Sequence, residues 1–140
     1  MTRWEFSIPE MTPGLNAMLR THWVIRRNEK DRWYWMVLTA SRNVPKATKL
    51  RWVTVTRYTP HRFLDRVNLW GGVKEVIEDN LRPAKVESGI HKTGKKKGQP
   101  WTRSQIGLGL IVDDSDQWCV LQVLQEKGPE STKVVIEEAD

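Results

Sequence analysis

Two acidic groups in this chain could do chemistry: Asp65-Arg66-Val67-Asn68-Leu69 and, far downstream, Asp113-Asp114-Ser115. Grouped carboxylates repel one another and each is penalised by desolvation, so a fold that gathers them usually places a cation between them. In a chain of net charge +6, this pattern predicts a divalent-metal site inside a surface that attracts nucleic acid. The matching chemistry is phosphodiester cleavage, which needs an activated water, charge stabilisation and help for the departing oxygen. One or two Mg2+ (or Mn2+) ions supply all three. Mg2+ keeps several waters, so two or three carboxylates suffice and need not be adjacent in sequence. Asp65 is the expected ligand from a helix start, and Asp113 or Asp114 from a strand end, where neighbouring side chains point to opposite faces. Lys74 is open to two readings, a phosphate contact or an ordinary surface lysine paired with Glu78.

The elements that must position these residues follow from periodicity. Arg3 to Ile8 reads as a strand stopped by Pro9 and the Pro13-Gly14 turn. Asn16 to Arg27 reads as a loop or frayed helix, and Asp31 as the cap of a helix running through Trp33, Val37 and Ala40 towards Pro45. Lys49 to Tyr58 alternates like a strand. From Asp65 to Leu81 the period is helical, with Leu69, Val73, Val76 and Ile77 on one face and Asp65, Asn68, Gly72, Glu75 and Asp79 on another. Arg82 to Ile106 is rich in Gly, Pro and charge, which predicts a mobile loop or loose hairpin. The apolar run Gly107 to Val112 reads as a buried strand. Trp118 to Gln125 and Thr132 to Glu137 then read as a hairpin joined at Lys127-Gly-Pro-Glu130. The order β-α-β-α-β-β-β excludes a regular doubly wound fold and predicts an α+β domain, a mixed sheet with helices packed mainly on one face.

With 140 residues, one domain is expected over 1–140, with a basic flexible insertion at about 82–105. The single cysteine, Cys119, can form no internal disulfide and reads as a small core residue, pointing to a reducing compartment. No apolar run approaches the roughly 20 residues needed to span a bilayer, so a soluble cytoplasmic protein is expected. Arg20, Arg26, Arg27, Lys30, Arg32, Arg42, Lys46, Lys49, Arg51, Arg57 and Arg62 are opposed in their stretch only by Glu29 and Asp31. Lys92, Lys95, Lys96 and Lys97 form a second basic cluster, which fits phosphate binding. Most of the eight tryptophans are expected in the core or at an interface. Trp101, in the polar segment, is expected to anchor that loop rather than to stack on a base. Gly107-Leu-Gly-Leu lacks the third glycine of a dinucleotide-binding turn. His22, His61 and His91 have no metal-site spacing, although His61 lies close enough in sequence to Asp65 to reach a phosphate.

Taken together, Pro13-Gly-Leu-Asn16, Arg20-Thr-His-Trp23, Arg62-Phe-Leu-Asp65-Arg-Val-Asn68-Leu, Gly71-Gly-Val-Lys74, Asp79-Asn-Leu81 and Gly109-Leu-Ile-Val-Asp-Asp114-Ser resemble the RusA-type Holliday junction resolvases, small metal-dependent endonucleases of phages and prophages. The resemblance implies a RusA-like fold, a homodimer in the cytoplasm of a bacterial host, and Mg2+-dependent paired cuts in four-way or other branched DNA. It implies Asp65, Asp113 and Asp114 as metal ligands, Asn68 as the residue that orients a ligand or water, and Lys74 as a phosphate contact. Arg20, His22, Arg26, Arg27, Arg62, Arg66, Lys92, Lys95, Lys96 and Lys97 are the candidate DNA contacts. Two departures stand out: Val67 occupies the place of the family's second aspartate, and the Lys92–Gln99 insertion lengthens the link before the doublet. Glu75 or Asp79, on the helical face of Asp65, could replace the missing ligand. The alternative is a protein that holds DNA without cutting it efficiently.

Overall fold

In the computed structural model, which describes all 140 residues, the chain runs β1 (Thr2–Ile8), α1 (Leu15–Arg20), α2 (Trp23–Ala40), β2 (Arg51–Thr59), α3 (Arg66–Val73), a π-helical turn (Lys74–Glu78), α4 (Asp79–Leu81), β3 (Pro83–Ile90), β4 (Pro100–Leu108), β5 (Cys119–Lys127) and β6 (Ser131–Glu138). The class is α+β. Four strands form one mixed sheet in the order β1-β6-β2-β5, while β3 and β4 form a separate antiparallel hairpin. Only the β2–β5 pair in the four-stranded sheet is parallel.

Alternation in the strands reports one covered face. Phe6, Ile8, Val53, Val55, Val123, Val134 and Ile136 are buried in one cluster with Trp33 and Val37 of α2 and with Leu69, Val73, Val76 and Ile77 of helix 66–81. The intervening residues Trp52, Thr54, Tyr58 and Val135 remain half-exposed. The apolar stripe expected along helix 66–81 is therefore the stripe that packs. No helix is long and apolar enough to cross a membrane.

Three local expectations are corrected. β5 and β6 do not pair with each other, because β2 lies between them. The Lys127–Glu130 link instead crosses the end of β2, where the Gly128 N–H donates to the Thr59 carbonyl at 3.2 Å. Asp31 caps nothing. α2 begins at Trp23, where the His22 ring accepts the Val24 N–H, and Asn16 to Arg27 is almost wholly helical. That segment gains its order from α1, which buries Met18 and seats the Asn16 N–H on the Asn68 side chain at 2.8 Å.

The third correction matters most for function. Leu110 and Ile111 are buried, as their apolar character demands, yet β4 ends at Leu108 and the chain turns through Gly109 at φ +72°. Their N–H groups donate to the Leu81 carbonyl at 2.8 and 3.2 Å. Periodicity detects burial, but a short apolar run does not say which partner satisfies its backbone. Here the open carbonyl at a helix end replaces a neighbouring strand.

Arg51, 1 % exposed, fastens the same segment from the sheet. Its guanidinium donates to the Leu110 carbonyl at 3.0 Å, the Pro45 carbonyl at 2.7 Å and the Glu138 carboxylate at 2.8 Å. Arg51→Met leaves these acceptors without their donor. The expected loss is about 3–5 kcal/mol of unfolding free energy in urea titration, and Arg51→Lys should not restore it, because an ammonium cannot reproduce the fork.

Candidate acid cluster and basic groove

At one end of helix 66–81, Asp65 is a helix cap. Its carboxylate accepts the Asn68 backbone N–H at 3.3 Å and the Asn68 side-chain N–H at 2.6 Å. These bonds hold the Asp65 carboxyl below the usual carboxylate range. The Asn68 amide oxygen is taken by Asn16, so this amide joins α1 to the Asp65 cap rather than pointing at a ligand. The Gly71-Gly72 pair lets the Pro13–Leu15 segment approach the helix. A Cβ at Gly72 would lie 1.8 Å from the Pro13 carbonyl oxygen. Val67, Arg62 and Arg66 are exposed, Arg66 lies over the Trp70 ring at 5.6 Å, and His61 pairs with Glu130 at 3.0 Å.

Asp113 and Asp114 stand at the opposite end of the helix. Arg82 reaches Asp79 at 3.0 Å and Asp114 at 3.5 Å. A helix running from residue 66 to 81 is about 20 Å long, with Asp65 capping its first turn and Asp114 paired with Arg82 after its last. No group of three or more His, Cys, Asp or Glu side chains is placed to hold a metal ion. The acids of a single chain therefore do not fit the ion the family resemblance implies. Glu75 and Asp79, the proposed replacement ligands, are already engaged by cations: Glu75 by Arg26 and by Lys30 at 3.5 Å, Asp79 by Lys30 at 2.9 Å and by Arg82. Arg26, expected on DNA, is thus spent largely on Glu75.

Glu78 was legible only as the i+4 neighbour of Lys74, and the structure gives it a larger place. Between Lys74 and Asp79 the backbone inserts an extra residue into the turn, with the Asp79 N–H bonded to the Lys74 carbonyl. The shift in phase carries Glu78 inward to 5 % exposure. Burial pushes its carboxyl up to about 7; the exposed Lys74 opposes this, while the charges of Asp114 and Asp79 add to it. Cys119 is a buried core residue as expected, and burial reinforced by Glu78, Asp114 and Asp116 pushes its thiol up to about 12. Asp113 is held low, first by the Asp114 backbone N–H. The one helical feature that could flag Glu78 is a turn of irregular phase, which side-chain periodicity does not encode.

A groove of about 810 Å³ opens between α2 and β4, with Trp23, Arg27 and Lys30 on one wall, Arg103 and Gln105 on the other, and Arg82 also in its lining. A smaller recess continues past Asp79 and Arg82 to Asp113. Lys30 and Arg82 are held by carboxylates, whereas Arg27 and Arg103 lie over the rings of Trp23 and Trp101 at 5.3 and 5.7 Å. Arg82 and Arg103 were not among the expected contacts, because the segment that places them read as a mobile loop or loose hairpin without a fixed register.

That hairpin is antiparallel, with one break in register between Pro83 and Lys85. His91 and Gln99 close its tip, Gly94 and Gly98 take positive φ, and Lys92, Lys95, Lys96 and Lys97 are exposed there. Trp101 does anchor it, lying across Gly89, where an added Cβ would come within 2.6 Å of the indole. Arg20 is exposed at the end of α1. Of the eight tryptophans only Trp33 is fully buried, while Trp23 and Trp35 are 65 % and 60 % exposed, a departure from the expected core.

No protein-family model matches this chain, and no curated protein matches it.

Because the folded-state value of Glu78 lies above its ordinary 4.5, the protonated form favours folding. Its contribution is complete below about pH 4.5 and is lost as pH rises through 7. Glu78→Gln in EDTA buffer should therefore raise unfolding free energy at pH 8 by on the order of 2–3 kcal/mol and leave it nearly unchanged at low pH. Parallel urea titrations across that window check it.

Proposed function

We propose that the protein binds DNA through the phosphate backbone, as a RusA-like protein acting on branched DNA, with the α2–β4 groove and the lysine-bearing hairpin tip as its contact surface. The observation that carries this reading is the placement of Arg27 and Arg103, cations without carboxylate partners, on the two walls of a groove that Arg82 also lines. Four further lysines stand at the tip of the hairpin that forms one wall. Phosphate contacts of this kind release counterions and make affinity steeply dependent on salt.

Mg2+-dependent endonuclease activity, with Holliday junctions as substrate, is the finer part of the proposal. Asp79 and Asp113 line the recess that continues from the groove, Asp114 pairs with Arg82 beside it, and Asp65 caps the other end of the helix. That separation, together with the absence of a three-acid set, favours a second reading in which DNA is held without being cut. A homodimer belongs to the same proposal. The uncovered sheet face offers half-exposed Trp52 and Val135 beside Val120 and Leu124, which are 43 % and 39 % exposed on edge strand β5. The bacterial cytoplasm, in a phage or prophage setting, is the corresponding location.

Affinity for a four-way junction should fall by orders of magnitude across a roughly fourfold rise in salt. Replacing residues 92–98 by an Asn-Gly turn should leave the fold intact and reduce that slope, as measured by fluorescence anisotropy and urea titration. Salt-independent binding would refute backbone recognition. For cutting, Mg2+ should support nicking by the wild type and not by Asp114→Asn, read on denaturing gels. Val67, 71 % exposed, tolerates aspartate without loss of stability, so an active Val67→Asp beside an inactive wild type would establish the second reading for the natural chain.

A further inference from the structure

We infer that the α2–β4 groove receives an unpaired nucleotide, its base stacked on Trp23 and its phosphates drawn by Arg27 and Arg103; this deepens the DNA-binding reading and rests on it. Trp23 opens α2 and is 65 % exposed, although an indole is among the largest apolar groups a fold can bury. The Arg27 guanidinium lies over its ring at 5.3 Å and the His22 ring lies 5.7 Å away, tilted by 31°. The indole therefore forms part of a lined wall rather than an isolated surface residue. Such a platform accepts any base, because every base has a π-face.

The rest of the groove suits a nucleotide better than an apolar ligand. Of its twelve lining residues only Trp23 and Ile106 are hydrophobic. Asn28, Ser104 and Gln105 supply groups that can both donate and accept, the complement of a base edge. Asp31, also in the lining, can accept from the exocyclic amino group of a base. A volume of about 810 Å³ admits a nucleotide-sized ligand, whereas the stacked bases of a duplex leave no face free for Trp23. Forks, flaps and junctions with unpaired nucleotides at the branch offer bases with a free face, whereas a fully paired four-way junction does not.

The test uses the full chain in EDTA with two four-way junctions, one fully paired and one carrying two unpaired adenines at the branch, one of them replaced by 2-aminopurine. The unpaired junction should bind about tenfold tighter or more, and 2-aminopurine emission should fall on binding. Trp23→Ala should remove both effects, and Trp23→Phe should keep most of the preference. Arg103→Ala, on the opposite wall, should weaken the unpaired junction more than the paired one. Equal wild-type affinities with a steep salt dependence would overturn the nucleotide site and leave backbone binding standing. A preference that survives Trp23→Ala would do the same. Salt-independent or absent binding of both junctions would overturn the DNA-binding reading as well.

Discussion

The Leu81 carbonyl, at the end of helix 66–81, accepts the N–H groups of both Leu110 and Ile111, and Arg51 holds the Leu110 carbonyl from the other side. This clasp is the constraint on which the arrangement depends. A helix end leaves carbonyls without partners, and a buried turn leaves N–H groups without partners, so each relieves the other. The clasp joins the hairpin and the Asp113–Asp114 turn to the helix. It also fixes the acids at the electronegative end of that helix, where the aligned peptide dipoles oppose further negative charge. Arg82, between Asp79 and Asp114, offsets that accumulation, and Glu78 responds by holding its proton to about pH 7.

Charge on this molecule is largely an internal matter. α2 directs Arg26 and Lys30 at the acidic stripe of helix 66–81, so that stripe is neither a solvated face nor an open ligand set. Arg51 is spent on the clasp, and Arg57 donates to the Thr12 carbonyl at 2.7 Å. The net excess therefore overstates what is free to meet a polyanion. Of the cations without carboxylate partners, Arg27 and Arg103 line one groove and the hairpin lysines stand at the tip of one of its walls, while Arg20, Arg62, Arg66 and Lys74 are exposed outside it. The position of the unpaired cations, rather than the sum of charge, carries the functional reading.

Much of the framework was legible in the residues. Alternation at Val53 and Val55 marked a central strand, the 3.6-residue period of Leu69, Val73 and Ile77 marked the packed helix face, and Asp65 followed by Asn68 marked a helix start. These are local properties: a side chain's face follows from its own element, and a cap needs partners only three residues away. Asn68 shows where locality stops, since its amide oxygen is claimed by Asn16 across a long stretch of chain.

Tertiary structure alone decided which acids meet. Asp65 and the doublet share a charge type, but they sit at opposite ends of one rigid helix, and no pattern in the residues records that length as a separation in space. The inward turn of Glu78 arose from one extra residue in a helical turn, and the groove arose from a hairpin whose polar strands read equally as mobile loop or loose hairpin. The sequence determined the α+β class, the buried face of each main element and the basic excess, because these depend on nearest neighbours and composition. Long-range backbone hydrogen bonds and ion pairs determined the site, because they select among contacts that local preference leaves equal.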